Sequence, residues 1–317
     1  MRRREFMTLL GSAAMARSSA ALAQQAGRRY RIAIIAAPGW GAFVEELGRA
    51  GFVEGHNLEI DGRGLGVAAA SYEEVAVELT KARPDVLVVA GPDAARAAQK
   101  ATQRIPIVAL VDDLLSSKLV ASMPRPEGNM TGVAIFAFQL DVKRLELLHE
   151  ALPGARRIAV FADHEPIRNI EALESAGRAL GIEIAPFSAR SETEVIRAID
   201  AMKATPVDAV NVLASPILGG DLRLLIRDRL DLHALPAILQ WPEMAEAGGL
   251  IAYGPRLSVV FRQCARQVAR LLQGAKVVDV PIEQPTEFEL ILNLKTAKTL
   301  GVKFPPTLLS RANAAIE

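Results

Sequence analysis

The chain has 317 residues, half of them hydrophobic and 5% aromatic, with 37 Lys plus Arg against 36 Asp plus Glu and a single cysteine. That length gives room for two ordinary domains, and the apolar content excludes a disordered or fibrous chain. The balanced charge, with no basic block, argues against nucleic-acid binding, and one cysteine excludes an internal disulfide.

The first residues read as an export signal. Arg2-Arg3-Arg4 is a basic n-region, Phe6 to Ala16 is a short, mostly apolar h-region, and Ala21-Leu22-Ala23 has the A-x-A form of a cleavage site. Residues 1–23 are therefore expected to be a signal peptide, with a mature start near Gln24. Arg3-Arg4-Glu5-Phe6 also fits the twin-arginine pattern, although Arg2 stands where Ser or Thr is usual, so Tat and Sec export both stay open. A mitochondrial presequence and an uncleaved anchor are the alternatives, but the apolar run is too short to span a bilayer. No cysteine follows it, so no lipid anchor is expected. Cleavage would remove four arginines and one glutamate, leaving 33 basic against 35 acidic residues. The expected product is a soluble, monomeric protein of the periplasm of a Gram-negative bacterium.

A strand over 30–35 leads through a short loop to a helix over 42–49, then a strand over 58–61. A helix over 71–82 opens on Ser71 with Glu74 three residues on, a capping box. A strand over 85–90 precedes a helix over 93–102, for which Asp93 is the expected N-cap. A strand over 106–111 is followed by a short helix near 116–123 and by 131–136, read as the first crossing to a second lobe. Helix 141–152 ends at Pro153-Gly154. Next come a strand over 157–161, a helix ending at Leu180, a strand over 182–186, and a helix to Lys203 with a second capping box at Ser191 and Glu194. Strand 209–213, helix 221–230, strand 237–240, a short helix over 242–247 and strand 249–253 follow. An amphipathic helix over 257–273 carries Cys264, a small core residue. An extended connection over 280–293 and a helix over 294–300 come last. Alternating strands and helices imply parallel sheets with right-handed crossovers.

The order of signals repeats. Arg31-Ile32-Ala33-Ile34-Ile35 is matched by Arg157-Ile158-Ala159-Val160-Phe161, and Gly48-Arg49-Ala50-Gly51 by Gly177-Arg178-Ala179-Leu180-Gly181. Asp85-Val86-Leu87-Val88-Val89 is matched by Asp208-Ala209-Val210-Asn211-Val212, and Ile105-Pro106-Ile107-Val108 by Leu235-Pro236-Ala237-Ile238. Two Rossmann-like α/β lobes joined by a multi-crossing hinge are expected, with 28–136 plus 255–282 as lobe one and 137–252 plus 285–317 as lobe two. Open α/β sheets bind ligands at the C-terminal ends of their strands, where helix N-termini also offer free N–H groups.

The candidate ligand residues follow from that geometry: Trp40, Gly91, Pro92, Asp93, Asp112, Asp163, Ser215, Trp241 and Tyr253. Both tryptophans fall in strand-end loops, where each ring either stacks on a ligand or plugs its own sheet. Gly91 and Pro92 offer backbone that a ligand can approach. Asp112 and Asp113 can face a ligand amine or stay solvated. Ser215 can donate to a carboxylate or cap the next helix, and His164 can contact a ligand, although a loop histidine is more often solvated.

Signs of catalysis are missing. His56, His149, His164 and His233 have no metal-ligand spacing, and no G-x-S-x-G elbow or P-loop is present. Gly62-Arg63-Gly64-Leu65-Gly66 breaks the dinucleotide pattern at Val67. No cofactor and no metal are expected, and binding is favoured over chemistry. An exported α/β enzyme acting on a small acid and a ligand-sensing partner of a membrane receptor are the alternatives.

Pro285-Thr286-Glu287-Phe288-Glu289-Leu290-Ile291-Leu292-Asn293-Leu294-Lys295-Thr296-Ala297-Lys298-Thr299-Leu300-Gly301, followed by Pro305-Pro306-Thr307-Leu308-Leu309, resembles the C-terminal signature of the ABC transporter substrate-binding proteins that include tryptophan- and tyrosine-binding members. Gly248 to Gly254, Arg125 to Gly132 and the leader Arg2 to Gly11 resemble the same family. The resemblance implies a type I periplasmic binding protein that captures a small solute and delivers it to an inner-membrane permease. It also implies ligand contacts at Gly91, Pro92, Asp112, Ser215 and Tyr253. Two departures bear on the ligand. The loop between Ala36 and Gly41 is short, and Ser215-Pro216-Ile217 stands where amino-acid-binding members carry a Thr-Asp-Asn type segment. A small organic solute other than an aromatic amino acid is as well supported.

Overall fold

In the computed structural model, the structure describes residues 28–35, 41–67, 69–164, 167–220 and 222–317. The expected signal peptide and Trp40 lie outside the described residues.

The first sheet has five parallel strands in the order β2-β1-β3-β4-β5. Its members are β1 (Tyr30–Ile35), β2 (Leu58–Gly64), β3 (Val86–Ala90), β4 (Ile107–Val111) and β5 (Met130–Ala134). The second sheet has seven strands, in the order β12-β11-β10-β9-β8-β6-β7. They are β6 (Arg157–Ala162), β7 (Glu183–Ser188), β8 (Ala209–Val212), β9 (Ala237–Leu239), β10 (Ile251–Gly254), β11 (Glu289–Asn293) and β12 (Ala314–Ile316).

The central strands are near-continuous runs of Val, Ile, Leu and Ala because helices cover both faces of each sheet. Side chains alternate between the faces. Val88, Val108 and Leu110 join one core with Phe43, Leu47 and the helix Leu257–Leu272, while Leu87, Val89, Ile107 and Ala109 join another with Leu79, Ala94, Ala95, Ala97 and Ala98. The second sheet separates its two faces in the same way. Cys264 is wholly buried in the first of these cores, where desolvation pushes its thiol pKa up.

Three stretches connect the sheets. The first follows β5, at residues 135–138; the second follows β10 and leads into the helix Leu257–Leu272; the third returns to β11. The third stretch touches the first sheet as it leaves. Glu283 N donates to Gly132 O at 3.1 Å, and Ala134 N donates to Glu283 O at 2.9 Å. Phe136 sits in the first crossing at φ 52, a left-handed backbone that a bulky residue rarely adopts. Its N–H donates to Asp112 O at 2.9 Å.

Several local expectations need correction. Residues 131–136 are not wholly a crossing: β5 pairs along its whole length with β4 and forms the sheet edge. The expected helix over 116–123 is absent, and the stretch forms turns and bends instead. Ser71 does not cap: it has helical φ and ψ because a 3-10 turn, Ala69–Ser71, precedes the helix Tyr72–Lys81, and its side chain makes no cap bond. Asp93 is not an N-cap either, since Gly91 takes that position and Pro92 the first helical turn. β11 runs antiparallel to β10, because the chain re-enters the second lobe from the first and travels back along its neighbour.

Candidate functional site

The C-terminal ends of the two sheets come near one another: the loop after β3 meets the loop after β8, and Arg168 in the loop after β6 acts on Asp112 in the loop after β4, which places the candidate gap between these loops. At the lip the lobes meet: a Cβ built on Gly91 would lie 3.9 Å from Cγ of Pro216. They belong to the loops after β3 and β8, the corresponding loops of the two halves of the repeat. Gly91 adopts φ 86 and ψ 155, a conformation essentially restricted to glycine. It turns the chain sharply into the helix Pro92–Ala101. Asp93 lies in the first turn of that helix, exposed and paired with Arg96 at 3.2 Å.

On the second lobe, the loops after β6 and β8 are joined by one relay. Oγ of Ser215 accepts from the N–H groups of Ile217 and Leu218 at 3.0 Å each and donates to Oδ2 of Asp163 at 2.6 Å. Those three bonds use the whole capacity of the hydroxyl. Oδ1 of Asp163 lies 2.5 Å from Nδ1 of His164, and Nε2 of His164 accepts from Arg168 N at 3.1 Å. Because Nε2 accepts a backbone N–H, the ring hydrogen sits on Nδ1, facing Asp163. Sequence position alone had placed Asp163, His164 and Ser215 in strand-end loops; the structure joins their side chains in one relay.

Gln240, known from the sequence only as the neighbour of Trp241 in a strand-end loop, has a wholly buried amide that pairs with Ser215 on both sides: Oε1 accepts from Ser215 N at 2.6 Å and Nε2 donates to Ser215 O at 3.1 Å. Trp241 is 6% exposed and packs with Leu218, Met244 and Ala245 in a second-lobe core. Gly219 lies against Trp241 and Gln240 with no room for a side chain. Trp241 thus holds the place of a plug in its own sheet. Tyr253 sits within β10, its ring 6.5 Å from that of Phe288 on the third crossing.

Asp112 stands where the first lobe meets the first crossing. Its Oδ1 accepts from Phe138 N at 3.0 Å. Burial pushes its pKa up from 3.8 to about 6, opposed by the backbone N–H groups of Phe138 and Ala137; Asp141 adds to the rise and Arg168 works against it. Behind it, the wholly buried Arg144 binds Oδ1 of Asp141 at 2.5 Å, Ala137 O at 2.8 Å and Tyr253 O at 3.0 Å. Asp141 also accepts from Ala214 N at 3.0 Å. This cluster braces the first and second crossings together.

Two hollows lie elsewhere. One of about 310 Å³ is lined by Arg29, Glu54, His56 and Glu59, and a cavity of about 10 Å³ by Leu230, Leu235, Ala237 and Leu250. Both are at the N-terminal ends of strands, opposite the gap. Among the described residues, no group of three or more His, Cys, Asp or Glu is arranged to hold a metal ion.

The family model described as "ABC transporter substrate binding protein" matches residues 39–316. A tyrosine-binding protein of Clostridioides difficile (strain R20291) is 23% identical over 265 residues, spanning 82% of this chain and 76% of the relative. Among solved structures, a conserved domain protein from Vibrio cholerae superposes with a TM-score of 0.78 at 24% identity, covering 91% of this chain and 99% of that one. The ABC domain in complex with L-Trp from Streptococcus pneumonia superposes with a TM-score of 0.74 at 19% identity, covering 91% and 100%. A solute-binding protein from Agrobacterium vitis with bound allitol gives 0.59 at 14% identity, covering 86% and 98%. At these identities the solved structures show a shared fold of two α/β lobes.

Proposed function

The chain belongs to the ABC transporter substrate binding protein family, and from that membership we propose that it captures a small organic solute between its lobes and hands it to an ABC permease of the inner membrane. The observation that carries this reading is the convergence of strand-end loops from two similar lobes on one gap, with Gly91 and Pro216 meeting at the lip. A lobe pair linked by three chain crossings closes by rotation about those crossings, and a solute that touches both lobes stabilises the closed form.

The proposed contacts are the backbone at Gly91 and Pro92 and the carboxylate of Asp112, with Asp163 and Ser215 shaping the opposite wall. Trp40 stays a proposed contact on its sequence position alone. The proposal includes no catalysis: Ser215 spends its hydroxyl on Asp163 and the backbone, and Asp163 spends its two oxygens on Ser215 and His164. It also places the mature protein in the periplasm as a monomer, after removal of residues 1–23. Among the described residues, no helix is long and apolar enough to cross a membrane.

A thermal-shift panel of amino acids, simple carboxylates, pentoses and hexitols tests the reading. A true ligand raises Tm with concentration according to mass action. Recovery of each hit unchanged after overnight incubation supports binding, whereas chemical turnover of a hit, or a panel with no shift, contradicts the reading.

A further inference from the structure

Among the described residues of the strand-end loops, Arg168 presents a guanidinium whose hydrogen-bonding capacity goes unused. It follows β6 on the second lobe and is exposed, with its guanidinium carbon 4.2 Å from the centroid of the Phe138 ring on the first crossing. Its charge is felt by Asp112 on the first lobe and by Asp141 at the brace. Neither carboxylate depends on it for a hydrogen bond. Asp112 accepts from crossing N–H groups, and Asp141 from Arg144 and Ala214. Among the described residues, no acceptor takes a hydrogen bond from the Arg168 guanidinium.

The placement is built. The Arg168 main chain is anchored by the relay of Ser215, Asp163 and His164, which spends two loops of the second lobe on fixing one N–H group. The Phe138 ring lies against the guanidinium, and the Arg168 side chain as a whole is exposed. A planar guanidinium held by an aromatic ring is pre-organised to take a carboxylate through two parallel N–H bonds, and a neutral polyol offers no matching charge.

We propose that Arg168, seated on Phe138 and anchored through His164, is the specificity-determining residue of the gap and receives a carboxylate of the solute. The proposal rests on the solute-binding reading above. An arginine that merely lies on the surface would leave affinity unchanged when replaced.

The test uses the mature full chain and calorimetric titration with each member of a defined panel: the twenty L-amino acids, their carboxamides, acetate to adipate, and neutral pentoses and hexitols. At least one carboxylate compound is expected to bind, its carboxamide counterpart to bind at least about tenfold more weakly, and Arg168→Met to weaken the carboxylate compound by a similar factor, since charge-assisted bonds are lost. Arg168→Lys should restore part of the affinity. Any neutral binder should be indifferent to both substitutions. Because Arg168 is exposed, an unchanged Tm of the unliganded variants confirms that folding is intact. If only neutral polyols bind, or if Arg168→Met keeps full affinity for a carboxylate, the proposal is overturned while the solute-binding reading stands. If nothing in the panel binds, both fall.

Discussion

Arg144 carries a full charge at 0% exposure. Removing it would strand the Asp141 carboxylate, itself 3% exposed, with only one backbone donor. Leaving a buried charge without its partner costs about 3–5 kcal/mol, so Arg144→Met should lose that much stability in urea denaturation. Pairing it with Asp141→Asn should recover part of the loss; a loss below about 1 kcal/mol for the single change would contradict the brace. Asp112 gives a pH signature. Its folded pKa of about 6 lies above the 3.8 of an unperturbed group, so the folded chain binds that proton more tightly than the unfolded chain. Its contribution to stability is therefore greatest below about pH 4 and is lost as pH rises through 6. The charged groups facing it are Asp141, from the helix that follows the first crossing, and Arg168, from the loop after β6. The stability difference between wild type and Asp112→Asn should fall from pH 4 to pH 7; a flat difference would refute the assignment. At this scale the sequence was only partly informative. Asp112, Asp163 and Ser215 were found because strand ends can be counted. Arg168 was passed over because a seven-residue loop does not fix which side chain comes to lie against the first crossing. A cation just ahead of the helix that follows an Asp-His pair was the signal available.

The two predicted capping boxes separate what a motif says from what the backbone does. Ser191 has extended φ and ψ and accepts from Glu194 N at 3.3 Å, while Glu194 reaches back to Arg190 N at 2.7 Å. Ser71 has the same spacing but lies at the end of a 3-10 turn and caps nothing. Ser191→Ala should cost about 0.5–2 kcal/mol, whereas Ser71→Ala should stay within about 0.5 kcal/mol, both read by denaturant midpoint. Equal effects would contradict this distinction. Gly91 tests the lip in the same way. The nearest atom to an added methyl is Pro216 Cγ at 3.9 Å, an ordinary contact, so the cost of Gly91→Ala is backbone strain of about 1–3 kcal/mol. Long elements were legible because burial on both faces writes unbroken apolar strands. The short helix Pro306–Leu309 and β12 were not, since four and three residues carry too little periodicity to register.

For the whole molecule, the repeat of strand and turn signals was enough to specify two α/β lobes, because each copy must build its own sheet. The reversal at β11 was hidden, since the direction of a strand depends on where the chain returns from and not on its own residues. A hinge of several crossings was expected, but how it is braced was hidden: Phe136 at φ 52 and the Arg144 brace bring together residues from three parts of the chain. Both features concentrate near the crossings, where lobe rotation must be absorbed by a few backbone torsions. The account stands on a solute held between the lobes. A crystal structure grown with the tightest binder from the panel measures this directly. The account predicts density in the gap, touching the loop at Gly91 and Pro92 on one lobe and the loop after β6 on the other. Density confined to one lobe, or lodged in the hollow beside His56 and Glu59 at the far end of the first sheet, would contradict it.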